Sequence, residues 1–343
     1  MISNEKLPEQ EMRQLLESQG FQILEKIGHG TFGQVFLVHH PDLEEEFVAA
    51  KVIMNEDFIE NEWSAFGVPS EDPSQINPFI VRNIRGKQFD KMTVILMEYC
   101  NMGTLFDLIQ AQKDIPIPII RVIMRQILQG LSYIHSKGII HRDIKGGNIL
   151  MHSPTGSGRV ILKIADFGTV KKNENILQQT IEMSQQGTPA YMAPDLFLVD
   201  APSLAKADAQ VDMWSVGILL YQISTHTFPY NPHNKYEIQQ FLAAQELDRP
   251  YQIKDNLLWD LLVRMLQFDR HLRISAAEAL QHPFFAGEQA MREITLEQIQ
   301  LAQDAQVQLH QGDQSITQFD LIPAFIFPLT EEQKLKKKFK LKK

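Results

Sequence analysis

Cysteine is nearly absent from the sequence, since Cys100 stands alone among 343 residues. A single cysteine excludes an intrachain disulfide and fits a reducing compartment. Apolar runs long enough to span a bilayer are also missing. The N-terminus, MISNEKLPEQ, is polar and carries acidic residues, so it has neither the form of a secretory signal nor that of a transit peptide. These absences predict a cytoplasmic location.

Positive charge is scarce outside one short segment. The last ten residues, KLKKKFKLKK, contain seven lysines and no acid, and without them 26 basic residues face 42 acidic ones, a net charge of −16. Such an acidic body predicts no specific nucleic-acid partner. The tail has three interpretations that stay open: a patch read by an import receptor, contact with an anionic membrane through lysines interleaved with Leu335, Phe339 and Leu341, or a solvated tail. The first two would make the protein nuclear or membrane-peripheral.

Hydrophobic residues make up 44% of the chain, which predicts a folded globular protein. Residues 1–20 are polar and predict a short helix or a loose arm. From residue 21 the segments FQILEKIG, QVFLVHH, FVAAKVIM and KMTVILMEY predict antiparallel strands, and after them helical periods dominate as far as residue 285. We therefore expect a small β-rich lobe, a connection near residues 98–102 and a larger helical lobe.

A glycine-rich segment and a lysine on a strand mark the predicted β-rich lobe. Gly28, Gly30 and Gly33 lie between two predicted strands, where glycine lets backbone N–H groups approach phosphate oxygens. Taken alone, this spacing is equally typical of a simple hairpin. Lys51 follows Ala49 on the third strand, where an ammonium group is able to turn inward to a phosphate.

Two further motifs carry acidic residues. The string HRDIKGGN places Lys145 two residues and Asn148 five residues after Asp143. A carboxylate that takes a hydroxyl proton, a lysine that neutralises a phosphoryl group and an amide oxygen that binds Mg²⁺ suit phosphoryl transfer. Asp166, in the string DFG, offers a carboxylate for Mg²⁺ beside a flexible glycine.

In this order the motifs resemble those of the eukaryotic protein kinases, specifically serine/threonine kinases. Three later strings extend the resemblance, which covers residues 21–286: GTPAYMAPD from Gly187, DMWSVG from Asp212, and DRHLR from Asp269 followed by HPFF. It implies an α+β, two-lobed kinase fold. The small antiparallel N-lobe with one main helix would span residues 21–97, the hinge 98–102 and the mainly helical C-lobe 103–286. Residues 287–343 would form a C-terminal extension.

The resemblance implies a role for each matching position. Asp143 would accept the proton of a substrate hydroxyl, helped by Lys145, while Asn148 and Asp166 would bind Mg²⁺ and Lys51 would hold the α- and β-phosphates of ATP. Gly28, Gly30 and Gly33 would cover the ATP phosphates, and Val35, Ala49 and Leu150 would sandwich adenine. Met97 would be the gatekeeper, and backbone groups of Glu98 and Cys100 would bond adenine at the hinge. His141 would pack the catalytic loop, and Thr188 would orient substrate and loop.

Three features need comment beside the family pattern. The glutamate that should pair with Lys51 has two candidates, of which we favour Glu62 over Glu71, because prolines flank Glu71. Asp195 replaces a glutamate and should still pair with Arg273. Acidic side chains that basophilic kinases carry near the substrate are absent, since Gly147 and Gln222 stand there, which argues against a strict requirement for arginine in the substrate.

Regulation and the C-terminal flank also allow expectations. Ser184, four residues before Thr188, matches an activation-loop phosphosite, and Thr180 is a second candidate; a phosphate there would bind Arg142 and order the loop. The polar stretch of residues 171–186 predicts a mobile loop. The apolar stretch FDLIPAFIFPLT should dock on the kinase body or on a partner.

Three functions compete. The sequence favours an active serine/threonine kinase with ATP, Mg²⁺ and a protein substrate. A pseudokinase scaffold is disfavoured because Lys51, Asp143, Asn148 and Asp166 are all present. A small-molecule phosphotransferase is disfavoured by the peptide-positioning segment 169–195. The oligomeric state stays open.

Overall fold

The computed structural model describes residues 9–30, 33–56, 58, 77–172, 181–183, 187–198 and 205–336. The chain forms two compact units. Unit 1 comprises Met1–Asp72 and Val81–Tyr99, and unit 2 comprises Pro73–Ile80 and Cys100–Lys343. The elements of unit 1 are α1 (Glu9–Ser18), β1 (Gln22–Gly30), β2 (Gly33–His39), β3 (Val48–Met54), β4 (Asn83–Gln88) and β5 (Met92–Glu98).

The strands of unit 1 form one antiparallel sheet in the order β1-β2-β3-β5-β4. The predicted strands β1, β2, β3 and β5 are confirmed. The sequence did not reveal β4, because its segment NIRGKQ is exposed along most of its length and lacks the alternation of a half-buried strand. The predicted main helix of this lobe, around Glu62, lies outside the described residues.

Helix α1 covers one face of this sheet, so residues 9–18 of the polar N-terminal segment form a docked helix. Successive side chains of a strand point to opposite faces, and Val48, Ala50 and Val52 of β3 share one core cluster with Met12 and Leu16 of α1. Lys26 of β1 pairs with Glu9 of α1 at 2.9 Å and ties the helix to the strand, while Arg13 pairs with Glu9 at 2.8 Å within the helix. Strand β3 is buried on the face that α1 covers and on the opposite face as well.

Unit 2 is mainly helical. In its described residues the helices are α2 (Leu105–Gln110), α3 (Ile117–Ser136), α4 (Pro194–Phe197), α5 (Gln210–Thr225), α6 (Lys235–Ala244), α7 (Asn256–Met265), α8 (Ala276–Leu280), α9 (Pro283–Ala286), α10 (Glu288–Arg292), α11 (Leu296–His310) and α12 (Leu329–Lys336). Helix α5 is buried on almost every side, as its apolar sequence predicts. The described residues contain no helix with the length and hydropathy of a membrane span.

Short strands complete unit 2: β6 (Ile139–Ile140), β7 (Ile149–His152), β8 (Arg159–Ile164), β9 (Lys171–Lys172), β10 (Ile181–Met183), β11 (Ala205–Ala207) and β12 (Phe327–Pro328). Strands β7 and β8 form an antiparallel hairpin, as the apolar segments NILMH and RVILKIA on either side of SPTGSG indicate. The prediction of a loop over residues 171–186 is wrong at two places, since β9 pairs with β6 and β10 pairs with β11. Backbone pairing with strands distant in the sequence explains the difference, because a polar local sequence carries no signal of such a partner.

The C-terminal extension docks on unit 2, which confirms the expectation for its apolar stretch. Strand β12 joins β8 as a third strand, and Phe327 is fully buried. Leu335 of α12 is also buried, so the hypothesis that it contacts lipid is wrong for this residue, because the helix turns it into the unit. Phe339 and Leu341 lie outside the described residues.

We predict that Leu16→Ala lowers the free energy of unfolding by about 2–4 kcal/mol, because it leaves a cavity beneath α1 where the side chain is 0% exposed. Chemical denaturation of the full chain measures this loss. Glu17→Ala, on the exposed face of the same helix, is the control and should change stability little. Equal stability of both variants would show that α1 does not pack on the sheet in solution.

Candidate active site

Asp143 is the centre of a hydrogen-bonded cluster in unit 2. Its Oδ2 accepts hydrogen bonds from Lys145 Nζ at 2.7 Å and from Asn148 Nδ2 at 2.9 Å. Its Oδ1 accepts from the backbone N–H and the hydroxyl of Thr188, at 2.9 and 2.7 Å. Lys145 Nζ also donates to the Thr188 hydroxyl, at 2.8 Å. The structure therefore brings together three residues of the HRDIKGGN string and one residue 45 positions later.

Gly187, which precedes Thr188, allows this close approach. Its φ is +115°, and a Cβ atom there would lie 2.4 Å from the carbonyl oxygen of Arg142. Only glycine accepts that backbone conformation without strain. Glycine is therefore required at this position, because it lets the segment that carries Thr188 run against the loop that carries Asp143.

The loop before Asp143 is held by a buried carboxylate, Asp212 of α5, whose exposed fraction is 0%. Asp212 accepts hydrogen bonds from the backbone N–H groups of His141 and Arg142, at 2.9 and 2.7 Å, and from His135 Nε2 at 2.8 Å. Burial alone raises the pKa of Asp212, but the His135 hydrogen bond and the charges and amide around it hold this pKa below the ordinary aspartate value. Asp212 is thus a buried anion that satisfies three donors.

Arg142 has φ of +68°, a conformation that costs free energy for a residue with a side chain. The hydrogen bond from its N–H to Asp212 helps to hold it. Its buried guanidinium donates to the carbonyl oxygens of Thr169 and Val170, and the Thr169 hydroxyl donates back to the His141 carbonyl at 2.8 Å. Burial lowers the pKa of Arg142, and nearby Asp212 partly offsets this. The loop is therefore bound to the segment that follows Asp166.

The sequence predicted a phosphorylated side chain as the partner of Arg142. The structure shows two backbone carbonyls among its partners. Both predicted phosphosites, Ser184 and Thr180, lie outside the described residues, so that role of Arg142 stays a prediction.

Asn148 directly precedes β7 and Asp166 follows the end of β8, and these two strand ends are paired with each other in the hairpin. Ile149 pairs with Ile164, and the N–H of Ala165 donates to the Asn148 carbonyl at 2.8 Å. Asp166 has φ of +65°, and the neighbouring Phe167 ring lies 4.9 Å from the His141 ring. His141 thus packs against the residue after Asp166 and bonds the Ala165 carbonyl at 3.0 Å.

The donor set of this pair suits Mg²⁺. Two hydrogen bonds of Asn148 use its amide nitrogen, one to the carboxylate and one to the carbonyl of Asp143, so the amide oxygen is the atom available as a ligand. With the Asp166 carboxylate it offers the hard oxygen ligands that Mg²⁺ prefers. No group of three or more His, Cys, Asp or Glu side chains in the described ranges is placed to hold a metal alone. Mg²⁺ sites built on substrate phosphates need only one or two such ligands.

In unit 1, the residues predicted to contact ATP occupy neighbouring positions on the sheet. Gly28 lies opposite Val35, Val35 opposite Lys51, and Ala49 opposite Met97. Since directly opposite residues share a face, Val35, Ala49, Lys51 and Met97 all lie on the face away from α1. Lys51 is only 6% exposed.

Position 33 also requires glycine for a structural reason, because a Cβ atom there would lie 2.3 Å from the Val52 carbonyl oxygen. Gly30 ends β1 in register with Gly33. The predicted hinge residues fall on either side of the unit boundary: the Glu98 side chain accepts the Arg82 N–H at 2.8 Å in unit 1, and Cys100 begins the second segment of unit 2. Glu62, the predicted partner of Lys51, lies outside the described residues, as does Glu71.

Leu150, predicted to contact adenine, lies on β7 in unit 2, where it forms a bridge with Thr104. The predicted pair of Asp195 with Arg273 is confirmed, at 2.9 Å between Oδ2 and Nη2. Burial lowers the pKa of Arg273, which Asp195 partly offsets. The shorter aspartate therefore still reaches its partner.

Three contributing residues escaped the sequence analysis, and two of them, His135 and Thr169, support the loop before Asp143. Their contacts with Asp212 and with the His141 carbonyl join residues that are far apart in sequence, and neither position carries a local signal of such a role. Tyr191 also escaped it, and its hydroxyl donates to Gln222 Oε1. Burial raises the pKa of Tyr191 well above its ordinary value, so its hydroxyl stays protonated.

Comparison with known proteins gives a consistent result. A family model described as "Protein kinase domain" matches residues 21–285. "Mitogen-activated protein kinase kinase kinase 3" of Arabidopsis thaliana is 31% identical over 275 residues, which cover 77% of this chain and 40% of that protein. "Serine/threonine-protein kinase 10" of Danio rerio is 33% identical over 270 residues, which cover 77% of this chain and 26% of that protein. The match thus spans well under half the length of either relative.

We predict that Asp212→Asn lowers the free energy of unfolding by about 2–4 kcal/mol at neutral pH, because it removes the charge that three buried donors face. A lowered carboxyl pKa stabilises the fold above the unfolded value and loses that effect as the pH falls through the lower, folded value. The difference in free energy of unfolding between wild type and Asp212→Asn should therefore stay constant from pH about 7 to about 5. It should narrow only below pH 3.8, the ordinary pKa of an aspartate carboxyl.

Urea denaturation across this pH range measures the difference. Asp304→Asn, on the exposed side of α11, is the control and should show no such dependence. Narrowing that begins between pH about 7 and about 5 would contradict a lowered pKa for Asp212.

Proposed function

The chain belongs to the protein kinase domain family, and on that premise we propose that it transfers the γ-phosphate of ATP to serine and threonine hydroxyls of protein substrates. The observation that supports this most is the cluster around Asp143. A carboxylate that touches an ammonium, an amide and a hydroxyl is organised to receive a substrate hydroxyl at one defined place.

In the proposed reaction the substrate oxygen forms a bond to the γ-phosphorus, while the bond from that phosphorus to the β,γ-bridging oxygen breaks and ADP leaves. The hydroxyl proton passes to Asp143. Lys145 neutralises charge on the transferred group from its position 2.7 Å from Asp143. Thr188 binds the Oδ1 atom of Asp143, so the carboxylate keeps one orientation during the transfer.

Mg²⁺ fits the oxygen donors of Asn148 and Asp166, and when bound it would supply positive charge to the phosphates. This chain's own contribution is to hold the two ligands beside paired ends of one hairpin. The Asn148 amide nitrogen, bonded to Asp143, fixes which way the amide oxygen points. The ligand set and the proton acceptor are therefore linked by one side chain.

For ATP itself, the family relationship supports the roles inferred from the motifs. Lys51 is proposed to hold the α- and β-phosphates, and Gly28, Gly30 and Gly33 to cover them. The proposed adenine contacts are Val35, Ala49, Met97 and Leu150, with backbone groups of Glu98 and Cys100. Glu62 is proposed as the partner of Lys51.

Protein substrates follow from membership of the family, but their identity does not. The neutral residues Gly147 and Gln222 support a substrate without a strict requirement for arginine. We propose phosphorylation of Ser184 or Thr180 as the regulatory event, with Arg142 as a binding group for the phosphate. A cytoplasmic location, with contact of the lysine-rich C-terminus to an import receptor or to an anionic membrane, remains a proposal from the sequence. A scaffold without turnover has no observation in its favour.

We predict that Asp143→Asn lowers kcat by about 100- to 10,000-fold, because the amide cannot accept the hydroxyl proton, while binding of Mg²⁺–ATP persists. Transfer from γ-labelled ATP to a generic protein substrate, with mapping of the modified residues, measures the loss. Asp248→Asn, an exposed aspartate of the same unit, is the control. Tyrosine labelling, or equal transfer by Asp143→Asn, would refute the proposed activity.

A second pair of variants examines Thr188. Thr188→Val should lower kcat by about 10- to 100-fold, because the Asp143 carboxylate loses the hydroxyl hydrogen bond, whereas Thr188→Ser should keep most activity. Steady-state kinetics at saturating ATP measure both variants. If valine and serine behave alike, the hydroxyl does not orient Asp143.

A further inference from the structure

The C-terminal extension contacts the hairpin that carries the proposed metal ligands. Phe327 of β12 pairs with Val160 of β8, and the Leu329 N–H donates to the Gly158 carbonyl at 2.8 Å. The Asp320 carboxylate lies 3.1 Å from Arg159 Nε, and both side chains are buried. The extension therefore binds β8 through backbone pairing and through a buried ion pair.

Three phenylalanine rings connect the extension to the opposite end of β8. The Phe79 ring lies 4.9 Å from the Phe319 ring and 5.8 Å from the Phe325 ring, and those two rings are 5.0 Å apart. Phe79 is 2% exposed, and its carbonyl accepts the Ile164 N–H at 2.8 Å. Ile164 precedes Asp166 by two residues, so the rings pack on the residue that holds the end of β8 nearest the metal pair.

Gln126 of α3 makes a second connection. Its amide nitrogen donates to the Phe325 carbonyl at 2.6 Å, and its amide oxygen accepts the Leu162 N–H at 2.8 Å. One buried amide thus binds both the extension and the middle of β8. Together with the rings, it places Phe325 in contact with two groups that fix the strand.

We propose that Phe319 and Phe325 are positioning residues for the metal-binding end of the β7–β8 hairpin, so that the C-terminal extension is part of the catalytic apparatus. The inference rests on the proposed kinase function, because it assigns Mg²⁺ to Asn148 and Asp166. Metal ligands have to be held within a fraction of an ångström by the residues behind them. Loss of the ring contacts frees Phe79, and through its carbonyl the N–H of Ile164.

The test uses the full chain with Phe325→Ala, Phe319→Ala and the milder Phe325→Leu. Hydrogen exchange of peptides that cover residues 160–166 reports the hairpin directly, without any turnover. Mg²⁺ titration of ATP binding reports the ligands. Leu242→Ala is the matched control, since Leu242 is fully buried on α6, which is not part of the sheet that β7, β8 and β12 form.

Both alanine variants should speed exchange at Ile164 and Ala165, and should raise the half-saturating Mg²⁺ concentration by about three- to tenfold. Phe325→Leu should restore most of both properties, because it keeps apolar bulk against Phe79. Leu242→Ala should lower the melting temperature without either effect. Unchanged exchange and Mg²⁺ affinity in the alanine variants, or equal changes in Leu242→Ala, would overturn the proposal.

The test of the positioning role can be distinguished from the test of the proposed kinase activity. A wild-type chain that binds Mg²⁺–ATP but transfers no phosphate to protein would refute the proposed function, while the exchange and titration data would still decide the positioning role. If Phe325→Ala does not fold, Phe325→Leu carries the test, with about a twofold Mg²⁺ shift expected and no shift overturning the proposal.

Discussion

The buried carboxylate of Asp212 is the constraint on which the active-site loop depends. A fully buried charge is tolerated only when hydrogen-bonded, and here the donors are two loop amides and one imidazole. Those amides belong to the residues directly before Asp143, including Arg142 with its left-handed backbone. The chain thus uses the desolvation cost of one anion to impose a single loop conformation, because any other would leave the charge unsatisfied.

The sequence predicted the residues of the Asp143 cluster better than it predicted the residues that hold this cluster in place. Asp143, Lys145 and Asn148 are close in sequence, so a single motif indicates their role. The structure places them in one hydrogen-bonded cluster. His135 and Thr169 act through contacts 77 and 28 residues away, and no local pattern marks such pairings. Strand β4 escaped for a related reason, since its pairing with β5 rather than its exposed side chains makes it a strand.

Both flanks of the family match belong to the folded protein. Residues 9–18 precede the matched region yet share the core of the unit 1 sheet, and residues 316–336 follow it yet bury Phe327 and Leu335 in unit 2. The sequence signalled the second flank through its apolar stretch but left the first open between a helix and a loose arm. Amphipathic spacing in ten polar-rich residues is a weak signal until a partner surface is known.

The position of β12 has a consequence for handling the protein. Strand β8 reads RVILKI, and β12 covers the first two residues of the edge that β7 leaves open. An uncovered apolar strand edge is a template for association with other chains. A fragment trimmed to residues 21–285 therefore exposes this strand edge and is expected to associate with itself more readily than the full chain.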